Sequence, residues 1–204
     1  MKDMLVEQNP HWQGQHQNFI KRQKLAQLIE YLPLRQIITI TGIRRCGKSS
    51  LARQAINYLI EQGTAARNIL FVNLEQPVLL EYKHDANHLN TIYATYLQLM
   101  NPQGRVYVIL DEVQFFDNWQ VFVKSKYENT NIKFIITGSN SSMLSHDLNT
   151  LLSGRSLNIH LDTFSFVEFL NYKQIDFSTA LARIANKIAI ARAKDEYLKW
   201  GGFY

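Results

Sequence analysis

The ten residues Thr41-Gly42-Ile43-Arg44-Arg45-Cys46-Gly47-Lys48-Ser49-Ser50 constrain this chain more than any other stretch. An apolar, β-branched run, Gln36 to Ile40, leads into them. A helical pattern with Leu51, Ala55, Ile56 and Leu59 on one side leads out. Glycine, four residues, then Gly-Lys-Ser between a strand and a helix is the spacing of a phosphate-binding loop. Each residue type answers a physical need. Gly42 and Gly47 admit backbone conformations closed to residues with a Cβ, so successive N–H groups can turn inward. The positive end of the following helix adds to that cradle for a polyanion. Lys48 supplies a mobile charge for β- and γ-phosphates, and the Ser49 hydroxyl is placed to ligate Mg²⁺. The expected contact surface for a nucleoside triphosphate is therefore the whole loop: Gly42, Ile43, Arg44, Arg45, Cys46, Gly47, Lys48, Ser49 and Ser50.

At 204 residues the chain has room for one α/β domain with a buried core. No apolar run approaches the ~20 residues that span a bilayer. The polar segment Met1 to His16 reads as neither signal peptide nor anchor, so no membrane partner is expected. The lone cysteine, Cys46, excludes an internal disulfide and fits a reducing, cytoplasmic setting. Within the loop it reads as a tolerated side chain rather than a redox switch. The formal net charge of +5 comes from scattered positive residues, part of which phosphate binding explains. It gives only weak support to nucleic acid as a partner.

Strand and helix patterns alternate along the chain. Residues 1–18 read as an irregular N-terminal arm, residues 19–175 as the core, and residues 176–204 as a C-terminal helical segment. Strands are expected at Gln36 to Thr41, Ile69 to Asn73, Val106 to Leu110, Ile132 to Thr137 and Leu157 to Leu161. Helical stripes fall at Leu25 to Leu32, from Gly47 to Gly63, at Leu89 to Met100, Asn118 to Tyr127 and Ser142 to Leu152. Ser165-Phe166-Val167-Glu168 has capping-box spacing for a short helix. A last helix puts Leu181, Ile184 and Ile188 on one side. Such alternation implies a mainly parallel sheet with helices on both faces.

The Val106 to Leu110 strand delivers Asp111-Glu112 to its carboxyl end, the Walker B arrangement. Asp111 is expected to hold Mg²⁺ with Ser49, and Glu112 to polarise the water that attacks the γ-phosphate. A glutamate directly after that aspartate marks ATPases in which another strand separates the catalytic glutamate from the phosphate-loop strand. Ile132 to Thr137 fits as that strand. It ends in Thr137-Gly138-Ser139-Asn140-Ser141, where Asn140 or Ser139 could orient the water, or where a plain turn could stand. Arg155, after Leu152-Ser153-Gly154, is a candidate finger reaching a neighbouring copy's phosphates, with a surface arginine as the alternative. The arm and first helix, with Trp12, Phe19, Ile20 and Arg22, could cover the base, with core packing or disorder of the arm as the favoured alternative.

GIRRCGKSSL, ILDEVQ, ITGSNSSML, LSGR and FSFVEFL, with EQNPHW near the start and YLKWGGF near the end, resemble the AAA-type domain of a widespread family of prokaryotic ATP-binding proteins. The resemblance implies a P-loop NTPase three-layer sandwich whose parallel five-stranded sheet runs in the order 5-1-4-3-2, with ATP and Mg²⁺ as ligands. It carries roles onto Lys48, Ser49, Asp111 and Glu112, and less securely onto Asn140 and Arg155. Members usually continue past Gly-Gly-Phe-Pro into a larger C-terminal region, linked in some to nuclease-like or DNA-binding folds. This chain reads Gly201-Gly202-Phe203-Tyr204, so the expectation is an ATPase module without that region. No arginine in the last helix, Arg183 or Arg192, stands out as a second sensor.

Two functions are expected from these residues. One is Mg²⁺-dependent ATP hydrolysis coupled to conformational change in the chain or a partner, with a homo-oligomer through Arg155. The other is a nucleotide-gated binding module with negligible turnover on its own. A GTPase is disfavoured, because the nearest match to Asn-Lys-x-Asp, Asn186-Lys187-Ile188-Ala189, lacks the aspartate.

Overall fold

All five apolar runs become strands of one sheet. The computed structural model describes residues 1–15, 17–85, 87–139 and 154–203. Strands β1 (Ile37–Thr41), β2 (Ile69–Asn73), β3 (Val106–Asp111), β4 (Ile132–Gly138) and β5 (Ser156–His160) are parallel throughout. Their order, β2-β3-β4-β1-β5, is the expected one read from the other edge. Among the described residues the helices are α1 (Lys2–Gln8), α2 (Leu25–Tyr31), α3 (Lys48–Glu61), α4 (Pro77–Leu80), α5 (His88–Met100), α6 (Trp119–Asn129), α7 (Phe166–Tyr172), α8 (Ala180–Ala185) and α9 (Lys187–Trp200). The helix expected over Ser142 to Leu152 lies outside the described residues.

Side chains of successive strand residues point to opposite faces, so β1 to β4 each feed two cores, while β5 adds Ile159 to one of them. On one face Ile38, Ile40, Phe71, Ile109 and Ile135 pack with Leu28 of α2 and Leu51, Ala55 and Leu59 of α3. On the other, Ile37, Val72, Val108, Phe134 and Ile136 pack with Leu5 of α1, Ile92 and Tyr96 of α5, and Phe122 and Val123 of α6. The result is three layers. No helix of the described residues is long and apolar enough to cross a membrane.

The arm is not irregular: it is α1 followed by a 3₁₀ turn at Pro10–Gln13. It has a definite task, because β2 lies at the sheet edge and turns the backbone groups of Ile69, Phe71 and Asn73 away from β3. Side chains of the arm pair with them as a strand would. Asn9 donates to the Phe71 carbonyl at 2.9 Å and accepts the Phe71 N–H at 2.7 Å. Gln8 accepts the Asn73 N–H at 2.6 Å. Trp12 and His11 both reach the Ile69 carbonyl, at 2.8 and 3.1 Å. An exposed edge is a template for aggregation, and here it is closed without a strand. Trp12 thus belongs to the β2 edge, where it also stacks on Tyr96, and not to a base site.

Two further features depart from the sequence reading. Leu181, Ile184 and Ile188 fall on two helices divided at Asn186 rather than on one, and all three are exposed rather than packed. Lys133, within β4, is fully buried, and its ammonium donates to the carbonyls of Tyr31, Leu34 and Gln36, pinning the turn between α2 and β1.

Replacing Asn9 by alanine strands a buried donor and acceptor on Phe71, so Asn9→Ala should lower unfolding stability by about 2–3 kcal/mol in urea denaturation and promote aggregation. A loss under about 0.5 kcal/mol would show that the arm is dispensable to the edge.

Candidate functional site

The carboxyl edge of the sheet brings three strand ends together. Thr41 of β1 pairs with Gly138 of β4, and Leu110 of β3 pairs with Ile136 of β4, so the phosphate loop, Asp111-Glu112 and Thr137–Ser139 emerge side by side. The loop hugs the end of β5: Leu161 N–H donates to the Thr41 carbonyl, and a Cβ on Gly42 would lie 2.1 Å from the Leu161 oxygen. Only glycine fits there. Gly47 has φ +96°, and α3 starts directly after it. Ile43, Arg44 and Arg45 are exposed, Arg44 pairing with Glu75 at 2.6 Å, while Ser49 and Ser50 open α3 half-buried.

Lys48 is buried and its Nζ donates to the Gly42 and Ile43 carbonyls, both at 3.2 Å, and to Ser139 Oγ at 3.0 Å. Its partner charge is Glu112, 3.4 Å away. Asp111 accepts from Ser49 Oγ at 3.0 Å and from Thr137 Oγ1 at 2.6 Å. The Thr137 hydroxyl in turn accepts the Glu112 N–H at 3.0 Å. Glu112 sits at φ +56° and leads into a 3₁₀ turn, Val113–Phe115, that bends Gln114 back onto it. Gln114 Nε2 and Ser139 Oγ donate to the same Glu112 oxygen, at 2.5 and 3.0 Å.

The structure therefore joins Lys48, Ser49, Asp111 and Glu112 in one cluster. Ser139 joins it too, whereas Asn140 lies outside the described residues. Thr137 and Gln114 were not read as site residues; their signal was position alone, a hydroxyl closing an apolar strand and an amide two residues beyond the glutamate. Arg155 is elsewhere. It opens β5, at the amino edge, a strand length of roughly 16 Å from the loop. There its guanidinium pairs with Glu128 at 2.9 Å and lies over Tyr127.

Electrostatics separate the acids. Burial pushes the Asp111 carboxyl above the usual range, against the pull of the Thr137 and Ser49 hydroxyls. Burial likewise raises the Cys46 thiol, despite nearby Lys48 and Arg22, so the cysteine is no ready thiolate. Behind the loop, Arg22 and Glu168 form a buried ion pair at 3.0 Å. Burial favours the protonated Glu168, but hydrogen bonds from the Ser165 and Gln23 N–H groups and from Arg22 outweigh it and hold the carboxyl low. The capping box expected from Ser165 and Glu168 is formed. Beside this pair lies a cavity of about 500 Å³ lined by Ile20, Lys21, Arg22, Gln23, Ala26, Asn171 and Tyr172.

The chain is similar in sequence to two relatives and in fold to a solved structure. An uncharacterized protein of Haemophilus influenzae is 38% identical over 181 residues, covering 88% of this chain and 42% of its own length. An uncharacterized protein of Methanocaldococcus jannaschii is 30% identical over 168 residues, covering 82% of this chain and 35% of its own. The chain thus spans less than half the length of these relatives. Among solved structures, the Aeropyrum pernix ORC1 protein, determined in complex with DNA, superposes with a TM-score of 0.53 at 14% identity, over 74% of this chain and 48% of that one. That likeness is one of fold. The sequence profile of the AAA domain family matches residues 34–170, two-thirds of the chain, and the chain belongs to that family.

Proposed function

We propose that this chain binds ATP with Mg²⁺ at the Gly42–Ser50 loop and hydrolyses it, in a reducing cytoplasmic setting, to drive conformational change in itself or a partner. The observation that carries the reading is the meeting of Lys48, Ser49, Asp111 and Glu112 at one strand edge. Loop N–H groups and the α3 N-terminus would hold the phosphates. The donor set fits magnesium: Ser49 Oγ and the Asp111 carboxylate are hard oxygens already converged at 3.0 Å, and a cation would favour the ionised form that burial disfavours. Bound there, Mg²⁺ supplies charge neutralisation at the β- and γ-oxygens. Lys48 adds to it from the loop side. Glu112 would orient a water and take its proton as the water oxygen bonds to the γ-phosphorus and the bond to the β–γ bridging oxygen breaks. Asn140, next to Ser139, would help to aim that water. The base would enter the cavity beside Ile20 to Gln23 and Tyr172, whose volume of about 500 Å³ suits a nucleobase.

One observation favours a second reading, a nucleotide-gated module with slow turnover. Glu112 is engaged at once by Lys48, Ser139 and Gln114, and Arg155 lies a strand length from the loop. Fast hydrolysis would then need a second copy to present Arg155 in trans.

Phosphate release separates these roles. Lys48→Ala should abolish ATP binding or turnover, whereas Glu112→Gln should keep ATP affinity within about threefold and lose about 100-fold in rate. Undiminished turnover by Glu112→Gln would remove the glutamate from the chemistry. For the finger, release per chain should rise with protein concentration and collapse in Arg155→Ala; strict proportionality with an unaffected variant would exclude it.

Asp111 yields a stability test. Its folded pKa is raised, so the folded state holds its proton more tightly, and this contribution is lost as pH rises through that pKa. Asparagine mimics the protonated form. At pH 7 without nucleotide, Asp111→Asn should raise Tm by about 2–4 °C, while Mg²⁺-dependent ATP affinity falls at least about tenfold. A lowered Tm would show that the carboxylate is compensated in the unliganded protein.

A further inference from the structure

We propose that Arg22 is the positioning residue of the phosphate loop: by gripping the Cys46 carbonyl it aims the Gly47 N–H into the cradle, and Glu168 sets Arg22. This assignment rests on the nucleotide reading above and names a part of the site that lies outside the loop.

In a trans peptide the C=O and the N–H that follows it point in opposite directions. The Cys46 oxygen accepts from Arg22 Nη1 at 2.5 Å. The N–H of the same peptide belongs to Gly47, so fixing the oxygen fixes that donor on the opposite side. The φ of +96° at Gly47 favours glycine, and a Cβ there would also stand 2.8 Å from Arg22 Nη1.

Arg22 is itself immobilised on every side. Its Nε meets Glu168 at 3.0 Å, its Nη2 donates to the Asp162 carbonyl at 2.7 Å, and its guanidinium lies 4.4 Å from the Phe164 ring centre. Its backbone N–H donates to Gln54 of α3 at 3.2 Å. Glu168 spends its other acceptor sites on the Gln23 N–H at 2.7 Å and the Ser165 N–H at 2.9 Å. Both side chains are nearly inaccessible, at 3% and 4%. A buried pair of this kind seldom stabilises more than an apolar replacement would, so stability does not account for its place directly behind the loop. The rigid, planar fork of arginine suits the task, and a lysine point charge does not.

Because residues 20–23 also line the cavity assigned to the base, one segment touches both ends of the nucleotide site. The start of α7, through Glu168, is tied to the same point, so seating of α7 and phosphate affinity are linked.

The test uses the full chain, labelled with ¹⁵N, and ADP as the probe, with calorimetric titration and the Gly47 amide resonance as readouts. Arg22→Met and Arg22→Lys should each bind ADP at least about tenfold more weakly than wild type, with the ADP-induced shift of the Gly47 amide reduced, in samples whose melting curves show folded protein. Glu168→Gln, which retains an acceptor for Arg22, should lose only about threefold. Should Arg22→Met not fold, Arg22→Lys and Glu168→Gln carry the comparison. A folded Arg22 variant that binds ADP within twofold of wild type, with an unaltered Gly47 shift, overturns the proposal. A wild-type chain that does not bind ADP overturns instead the nucleotide reading on which it stands.

Discussion

The insertion of β4 between β1 and β3 is the constraint from which the geometry of the carboxyl edge follows. Neighbouring strands lie about 4.8 Å apart, so the end of β3 is held roughly 10 Å from the point where the phosphate loop leaves β1. Across that gap Ser49 meets Asp111 and Lys48 meets Glu112 through their side chains. Lys48 and Ser49 reach from the first turn of α3, and Asp111 and Glu112 answer from the end of β3; Thr137, near the end of β4, bonds to Asp111, and Ser139, just past β4, bonds to both Lys48 and Glu112. The result is a polar, charged floor at the carboxyl edge of the sheet.

This floor works against the fold that carries it. Asp111 is a buried carboxylate with hydroxyls for neighbours, and burial opposes its charge. Lys48 faces Glu112, but both are drawn into contacts that a bound triphosphate would have to replace. The opposing stability comes from behind and below. Apolar cores on both faces of the sheet hold the strands, and Lys133 pins the turn into β1. The charged part of the molecule is thus small and surrounded by packed elements, as a site preorganised for polyanion binding would require.

Much of this was legible in the chain, and the reasons are local. Ile69 to Asn73 reads as a strand and is one to the residue, because a continuous apolar, β-branched run between turn residues has few other uses. The phosphate loop and Asp111-Glu112 were readable because fixed chemistry demands fixed spacing. Long-range polar pairings were not. Arg22 and Glu168 stand 146 positions apart, and neither carries a periodic signal. Gln8, Asn9 and Trp12 acquire meaning only once β2 is known to be an edge. Leu181, Ile184 and Ile188 show the limit of periodicity, since helical spacing says which residues share a face and not what, if anything, covers it. The reversal of Gln114 onto Glu112 depends on the positive φ of Glu112, which no composition rule foretells.

The central claim is that Lys48, Ser49, Asp111 and Glu112 form one wall of an Mg²⁺–ATP site. A crystal structure of the full chain with Mg²⁺ and a slowly hydrolysed ATP analogue tests it most directly. The account predicts Lys48 Nζ on the β- and γ-phosphates, Ser49 and Asp111 on the metal side, Arg22 still on the Cys46 carbonyl, and Glu112 released toward a water in line with the γ-phosphorus. A triphosphate bound away from the Gly42–Ser50 loop, or bound there with the metal remote from both Ser49 and Asp111, would contradict it.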